Sequence, residues 1–190
     1  MRTFIAISLP EEIKGYLGQV QEKLKLSAAD VKWVQAGNIH LTLKFLGEID
    51  EEKLREVSGI LNDTAKGKGT FKINLSSLGA FPKIAYPRVI WAGIDKGDNE
   101  VGQIALELEE KLSKIGIPAE DRPFSSHITL GRVRSASNRH RLVKDLTALA
   151  DNFAPQGLEF TADKITLFKS TLTPKGPVYE ALNEASLSAS

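Results

Sequence analysis

Two of the three histidines in this 190-residue chain open the same tetrapeptide, His40-Leu41-Thr42-Leu43 and His127-Ile128-Thr129-Leu130, a separation of 87 residues (40 to 127). No other feature of the sequence restricts the fold as much. If threonine and leucine each fill on the order of a tenth of positions or fewer, a histidine begins such a match by chance at well under about one in a hundred. The alternation reads as a strand with one face in a core. Side chains at i and i+2 share a face, so His40 and Thr42 point one way while Leu41 and Leu43 point into the interior. His127 and Thr129 repeat the arrangement against Ile128 and Leu130. Each strand therefore presents an imidazole beside a hydroxyl on an apolar backing, and the spacing suggests two related lobes, each supplying one copy.

The rest of the chain supports an α+β fold of mostly antiparallel strands with interspersed helices. Strands are expected at Thr3–Leu9, Val31–Val34, Ile39–Phe45, Phe71–Leu78, Arg88–Ile94, Ser126–Val133, Leu158–Phe168 and Val178–Leu182. Pro10-Glu11-Glu12 and Asp50-Glu51-Glu52 put acids at the start of two helices, one running to about Lys25 and the other to the stretch Lys66–Gly69. Further helices are expected over Asp98–Ile115, closed by Gly116 and Pro118, and over Ser137–Ala150. No low-complexity linker divides the chain, so residues 1–190 read as one two-lobed domain.

Two imidazole–hydroxyl pairs suit an in-line displacement at phosphorus. That reaction needs a base on the attacking oxygen and an acid on the leaving oxygen, on opposite sides of the reacting atom. Histidine, with an ordinary pKa of about 6.5, fills either role near neutral pH. Threonine hydroxyls donate to the non-bridging oxygens, where charge must be held. The chain has no cysteine, which removes thiol nucleophiles, disulfides and Cys-ligated metals, and no Asp or Glu stands at ligand spacing from either histidine. No metal or other cofactor is expected. The net charge of +1 makes any anion site a local one. The apolar start is too short for a signal-peptide core and no segment is long enough to span a membrane, so a cytoplasmic protein without membrane contact is expected.

On these residues the chain resembles the two-histidine phosphoesterase superfamily, and within it the RNA 2′,3′-cyclic phosphodiesterases formerly called 2′-5′ RNA ligases. The resemblance runs through MRTFIAISLP, VKWVQAGNIHLTLKFLGEI, LGAFPKIAYPRVIWAGI, FSSHITLGRVR and ITLFKSTLTPKGPVYEAL, in that order. It implies two mostly antiparallel sheets related by a pseudo-two-fold about a central cleft, with helices outside. It further implies metal-independent hydrolysis of RNA 2′,3′-cyclic phosphate ends, or of cyclic nucleotides, to 2′-phosphomonoesters by a monomeric enzyme. Weak reversible 2′-5′ ligation would accompany it. His40 resembles the proton donor to the leaving ribose oxygen and His127 the base that activates water. Thr42, Thr129 and Arg132 resemble the groups that hold the phosphate. The alternative is a module that binds nucleotides or RNA ends in the same cleft without turnover.

Two positions bear on that reading. The family commonly has proline just before the second histidine, where this chain has Ser126. By strict alternation Arg132 falls on the opposite face from His127, so the strand must bulge near Gly131 for the guanidinium to reach a phosphate. Lys44 shares a face with His40 and Thr42 by the same parity and is expected as a rim cation. The basic run Arg132, Arg134, Arg139, His140, Arg141, Lys144 could track RNA phosphates or be a solvated helix face. Trp33, Phe81, Tyr86, Trp91 and Phe124 are candidates for stacking on a base, though most strand aromatics are core.

Overall fold

The computed structural model describes residues 1–189. Residues of alternating character pair into two antiparallel sheets. The first has four strands in the order β3-β1-β8-β9, formed by β1 (Arg2–Ser8), β3 (His40–Glu48), β8 (Lys164–Thr173) and β9 (Gly176–Ser186). The second has five in the order β2-β6-β5-β4-β7, formed by β2 (Val31–Trp33), β4 (Phe71–Lys83), β5 (Tyr86–Ile94), β6 (Ile128–Val133) and β7 (Glu159–Ala162). Four helices cover them: α1 (Glu11–Lys25), α2 (Glu51–Ala65), α3 (Asp98–Ser113) and α4 (Arg139–Asp151).

The expected α+β class and the two sheets are present, with β3-β1-β8 in one matching β6-β5-β4 in the other. The helices exchange between the halves. α2 packs on β8 and β9, and α3, although it follows β5 of the second sheet, packs on β3 of the first. Conversely α1 follows β1 of the first sheet but lies against the second. The buried side chain of Gln21 donates to the carbonyls of Val34 and Leu130 at 2.7 and 2.9 Å, which satisfies the amide and fixes the helix there. α4 packs on β4 and α1. Each sheet thus buries its helix-covered face under one helix from each half of the chain, with Ile5, Leu41, Leu61 and Leu108 fully buried on one side and Ile90, Ile128, Leu130 and Leu146 on the other. Those residues form one continuous core.

The expected single strand over Leu158–Phe168 is two strands that break at Asp163, β7 closing the second sheet and β8 entering the first. Continuous apolar periodicity cannot report a change of sheet, because both strands bury alternate residues. The expected Phe71–Leu78, Arg88–Ile94 and Val178–Leu182 strands extend to Lys83, back to Tyr86 through Pro87, and over Gly176–Ser186. No helix among the described residues is long and apolar enough to cross a membrane.

Candidate active site

His40 and Thr42 stand on the open face of the first sheet, the face without helices, while Leu41 and Leu43 are buried behind them. His127, just ahead of β6, and Thr129 occupy the matching place on the second sheet, with Ile128 and Leu130 fully buried. β3 and β6 contact one another where the two sheets meet. The imidazoles are held alike. Nδ1 of His40 lies 2.7 Å from the Asn38 carbonyl, and Nδ1 of His127 lies 2.8 Å from the Ser125 carbonyl, two residues upstream in each case. A carbonyl only accepts, so both Nδ1 atoms carry the proton, and Nε2 is the nitrogen with a lone pair to offer. At His40 that lone pair accepts from the Thr42 hydroxyl at 2.8 Å.

The surroundings of the two rings differ. His40 stacks on Phe4, with ring centroids 4.8 Å apart, and Tyr179 meets its edge at 5.5 Å. Phe168 extends the stack on the other side of Phe4 at 5.3 Å. Burial in this aromatic nest pushes the His40 pKa below the ordinary imidazole value; the bond to Asn38 opposes the shift, and the nearby Lys14 ammonium adds to it. His127 is more open and meets Phe81 edge to face at 5.0 Å. Among the described residues, no three His, Cys, Asp or Glu side chains are placed to hold a metal ion together.

Both histidine strands carry a bulge at the same place. On β3, Thr42 pairs with Ala6 and Lys44 with Ile5, so Leu43 is the extra residue. On β6, Thr129 pairs with Trp91 and Gly131 with Ile90, so Leu130 is extra. Paired residues share a face, and the next pairs are Phe45 with Phe4 and Arg132 with Val89. The bulge therefore returns Arg132 to the face of Thr129, supplying the deviation that strict alternation lacked. Its charge reaches across to the first sheet. Burial raises the Tyr179 phenol above its ordinary range, and the guanidinium groups of Arg2 and Arg132 pull against that. Gly131 is required at the bulge, since a Cβ there would come within 2.7 Å of Val31 and 2.8 Å of the Trp33 ring.

The same device overturns the expectation for Lys44. The bulge turns it to the helix side, where its side chain is 2% exposed and Nζ meets Glu109 at 2.9 Å. Nζ also donates to the Pro118 carbonyl at 2.8 Å. Lys44 is a buried tie to α3 and the following loop, not a cation on the rim. The basic run divides as well. Arg134 pairs with Asp30 at 3.2 Å, the Arg139 guanidinium lies 4.3 Å over the Tyr86 ring, and His140, Arg141 and Lys144 are exposed. Of the aromatic candidates, Trp33 covers Gly131, while Phe81 lies between Trp91 (5.4 Å) and His127. Sequence reasoning missed Phe4, which stacks on His40, and Ser8, Lys14, Phe168 and Tyr179, which line a cavity of about 220 Å³ with His40 and Asn38. Only the 87-residue offset could have singled out Asn38 and Ser125 as the paired carbonyl acceptors that orient the rings.

A family model described as LigT like Phosphoesterase matches residues 7–91 and 94–179. The two segments begin 87 residues apart (7 to 94), the spacing of the histidines. The RNA 2′,3′-cyclic phosphodiesterase of Methanocaldococcus jannaschii is 40% identical over 97% of this chain and 99% of its own length. That of Thermotoga maritima is 37% identical over 97% and 94%. Among solved structures, TT0787 of Thermus thermophilus superposes with a TM-score of 0.79 at 32% identity, covering 98% of both chains. E. coli LigT complexed with 3′-AMP does so with a TM-score of 0.78 at 27% identity, covering 98% of this chain and 97% of that one.

Proposed function

The chain belongs to the family of LigT-like phosphoesterases, and on that premise we propose that it is an enzyme that hydrolyses RNA 2′,3′-cyclic phosphate ends to 2′-phosphomonoesters. The observation that carries the reading is the pair of identically bulged strands, each presenting an imidazole fixed through Nδ1 and a hydroxyl on an open sheet face. The names of the full-length relatives point to the same substrate class. The enzyme acts in the cytoplasm as a monomer.

His127 takes a proton from water through Nε2 as the water oxygen attacks phosphorus. O3′ leaves on the opposite side and receives a proton from Nε2 of His40, while O2′ stays bound to phosphorus. Thr42, Thr129 and Arg132 hold the non-bridging oxygens. His40 must gain a second proton before it can act. Burial and Lys14 oppose that, and the negative charge of an arriving cyclic phosphate favours it. Once Nε2 is protonated it no longer accepts from Thr42, and the hydroxyl is released to turn to the phosphate. Substrate binding, proton uptake and the freeing of Thr42 are thus one coupled event.

The test is phosphorus NMR of the product formed from an RNA ending in a 2′,3′-cyclic phosphate. A 2′-phosphomonoester is expected, formed equally well in EDTA. His40→Ala and His127→Ala are each expected to lower the rate by about 10² to 10⁴. A 3′-monoester, binding without turnover, or full activity in either variant would overturn the assignment.

A further inference from the structure

Directly opposed residues on antiparallel strands share a face, and like charges in that position repel. The outer edge of the second sheet departs from this rule. Lys32 of β2, the edge strand, stands opposite Arg132 of β6. Its neighbours Val31 and Trp33 point the other way, since both reach the place that a Cβ on Gly131 would take on the helix-covered side. Lys32 therefore shares the open face with Arg132, and both side chains are exposed.

No carboxylate offsets the two charges. Asp30, two residues before Lys32, is taken by Arg134 at 3.2 Å. Among the described residues, no acid lies within ion-pair distance of Lys32 or Arg132. This corner of the open face thus holds three cations against one carboxylate, in a chain whose net charge is only +1. An uncompensated local excess of this kind marks a place for an anion.

The proposed reaction uses one of the two opposed cations. Arg132 follows Thr129 on β6 and holds the reacting phosphoryl group. Lys32 lies one strand further out, a step of about 4.8 Å, so it is satisfied by a second anion beside the first. An RNA supplies one in the 3′-5′ diester that links the terminal nucleotide to its neighbour. A cyclic mononucleotide has none.

We propose that Lys32 binds the phosphodiester immediately upstream of the cyclic end, and that this contact makes the enzyme prefer RNA ends to cyclic mononucleotides. The inference rests on the catalytic reading above. Two adjacent anions then face two adjacent cations, and the repulsion between β2 and β6 is relieved as the RNA binds. Both side chains are long and exposed, with room to splay toward successive phosphates. An ammonium acts as a point charge, which suits a backbone contact that serves every base alike. A lysine on an edge strand also deters pairing with another chain, but that role is indifferent to the charge of a substrate linkage.

The test sets a longer substrate against a shorter one. Wild type is expected to act on the dinucleotide ApA ending in a 2′,3′-cyclic phosphate with a higher kcat/KM than on 2′,3′-cyclic AMP. Lys32→Met is expected to lower that ratio about five- to tenfold, and Lys32→Arg to keep it. A dinucleotide whose internal linkage is an uncharged methylphosphonate should lose the same factor with wild type and nothing further with Lys32→Met. The slope of log kcat/KM against log salt for the dinucleotide should shrink by about 0.7 in Lys32→Met, the loss of one phosphate contact on a single strand. Additive losses from the variant and the methylphosphonate would overturn the proposal, as would an unchanged ratio or an equal loss on both substrates. A wild type inert toward both cyclic esters would instead remove the catalytic reading beneath it.

Discussion

Replacing Lys44 by methionine is expected to loosen the path to His127 although the residue lies on the strand of His40. The ammonium is almost wholly buried, 2.9 Å from Glu109 of α3 and 2.8 Å from the Pro118 carbonyl, with Glu120 at 3.5 Å. Glu109 in turn accepts from the Glu120 backbone at 2.7 Å. These bonds fasten the segment that runs from Pro118 to His127. Breaking a fully buried ion pair from one side costs about 3–5 kcal/mol. The Glu109 side chain is 26% exposed and keeps its backbone donor, so about half that penalty, roughly 1.5–3 kcal/mol, is appropriate here. For a domain of this size each kcal/mol moves the melting temperature by about 2–4 °C, so Lys44→Met should melt about 3–12 °C lower. Misplacement of His127 should appear as a fall in kcat of about tenfold with little change in KM. The double variant Lys44→Met/Glu109→Gln, which removes the stranded carboxylate, should recover part of the stability but not the rate. Thermal melts and initial rates on a cyclic nucleotide decide it. A Lys44→Met protein with wild-type melting and wild-type kcat would refute the claim that this tie positions the loop.

Three further outcomes are expected. Because burial depresses the His40 pKa, its neutral form supports folding above the unfolded value of about 6.5, and that contribution is lost as pH falls below it. The melting temperature should therefore drop more between pH 7.5 and 5.5 in wild type than in His40→Gln, and parallel slopes would count against the buried neutral ring. Arg132→Met, at an exposed position, should lower kcat/KM by about 10² to 10³ while leaving denaturant midpoints unchanged; a matching loss of stability would mark the residue as structural. Gly79→Ala, which drives a methyl into the Trp91 indole, should cost about 1–3 kcal/mol in urea unfolding, and Trp91→Leu should relieve much of that cost. Strictly additive penalties would contradict the contact.

What the sequence made legible follows from what repeats in it. Period-two alternation located the strands of both sheets, leading acids located two helices and amphipathic runs two more, because each signal acts within a few residues. The histidine–threonine pairs were legible because their spacing matches the offset of the two halves. Sheet membership was not, as Leu158–Phe168 illustrates: Asp163 interrupts the run without a glycine or proline to mark it. The exchange of α1 and α3 between sheets was hidden too, since an amphipathic helix records which of its faces is buried and not against what. Lys44 was assigned to the wrong face because strict parity ignores an inserted residue. At Arg132 the neighbouring glycine gave notice of the bulge; Leu43, an ordinary strand residue, gave none at the corresponding point.

The two bulges also account for how one repeated unit would serve the two roles proposed for it. Under the 87-residue offset, Lys44 corresponds to Gly131 and Phe45 to Arg132. The backbone does the same thing in both strands, turning the first of each pair toward the helices and the second toward the open face. In the first sheet the inward residue is a long cation that fastens the approach to the other histidine, and the outward one is a phenylalanine near Phe4, beneath His40. In the second sheet the inward residue has no side chain, which lets β2 and Trp33 close over the strand, and the outward one is the guanidinium. A mirror-image pair of arginines would place two cations against one phosphoryl group and oppose protonation of both histidines. With one arginine, the charge is held on the side of the more open His127, and burial in the aromatic nest favours the neutral form of the His40 ring. In the proposed reaction, the asymmetry that separates acid from base is therefore written in the residues flanking the repeated motifs, while the motifs themselves stay alike.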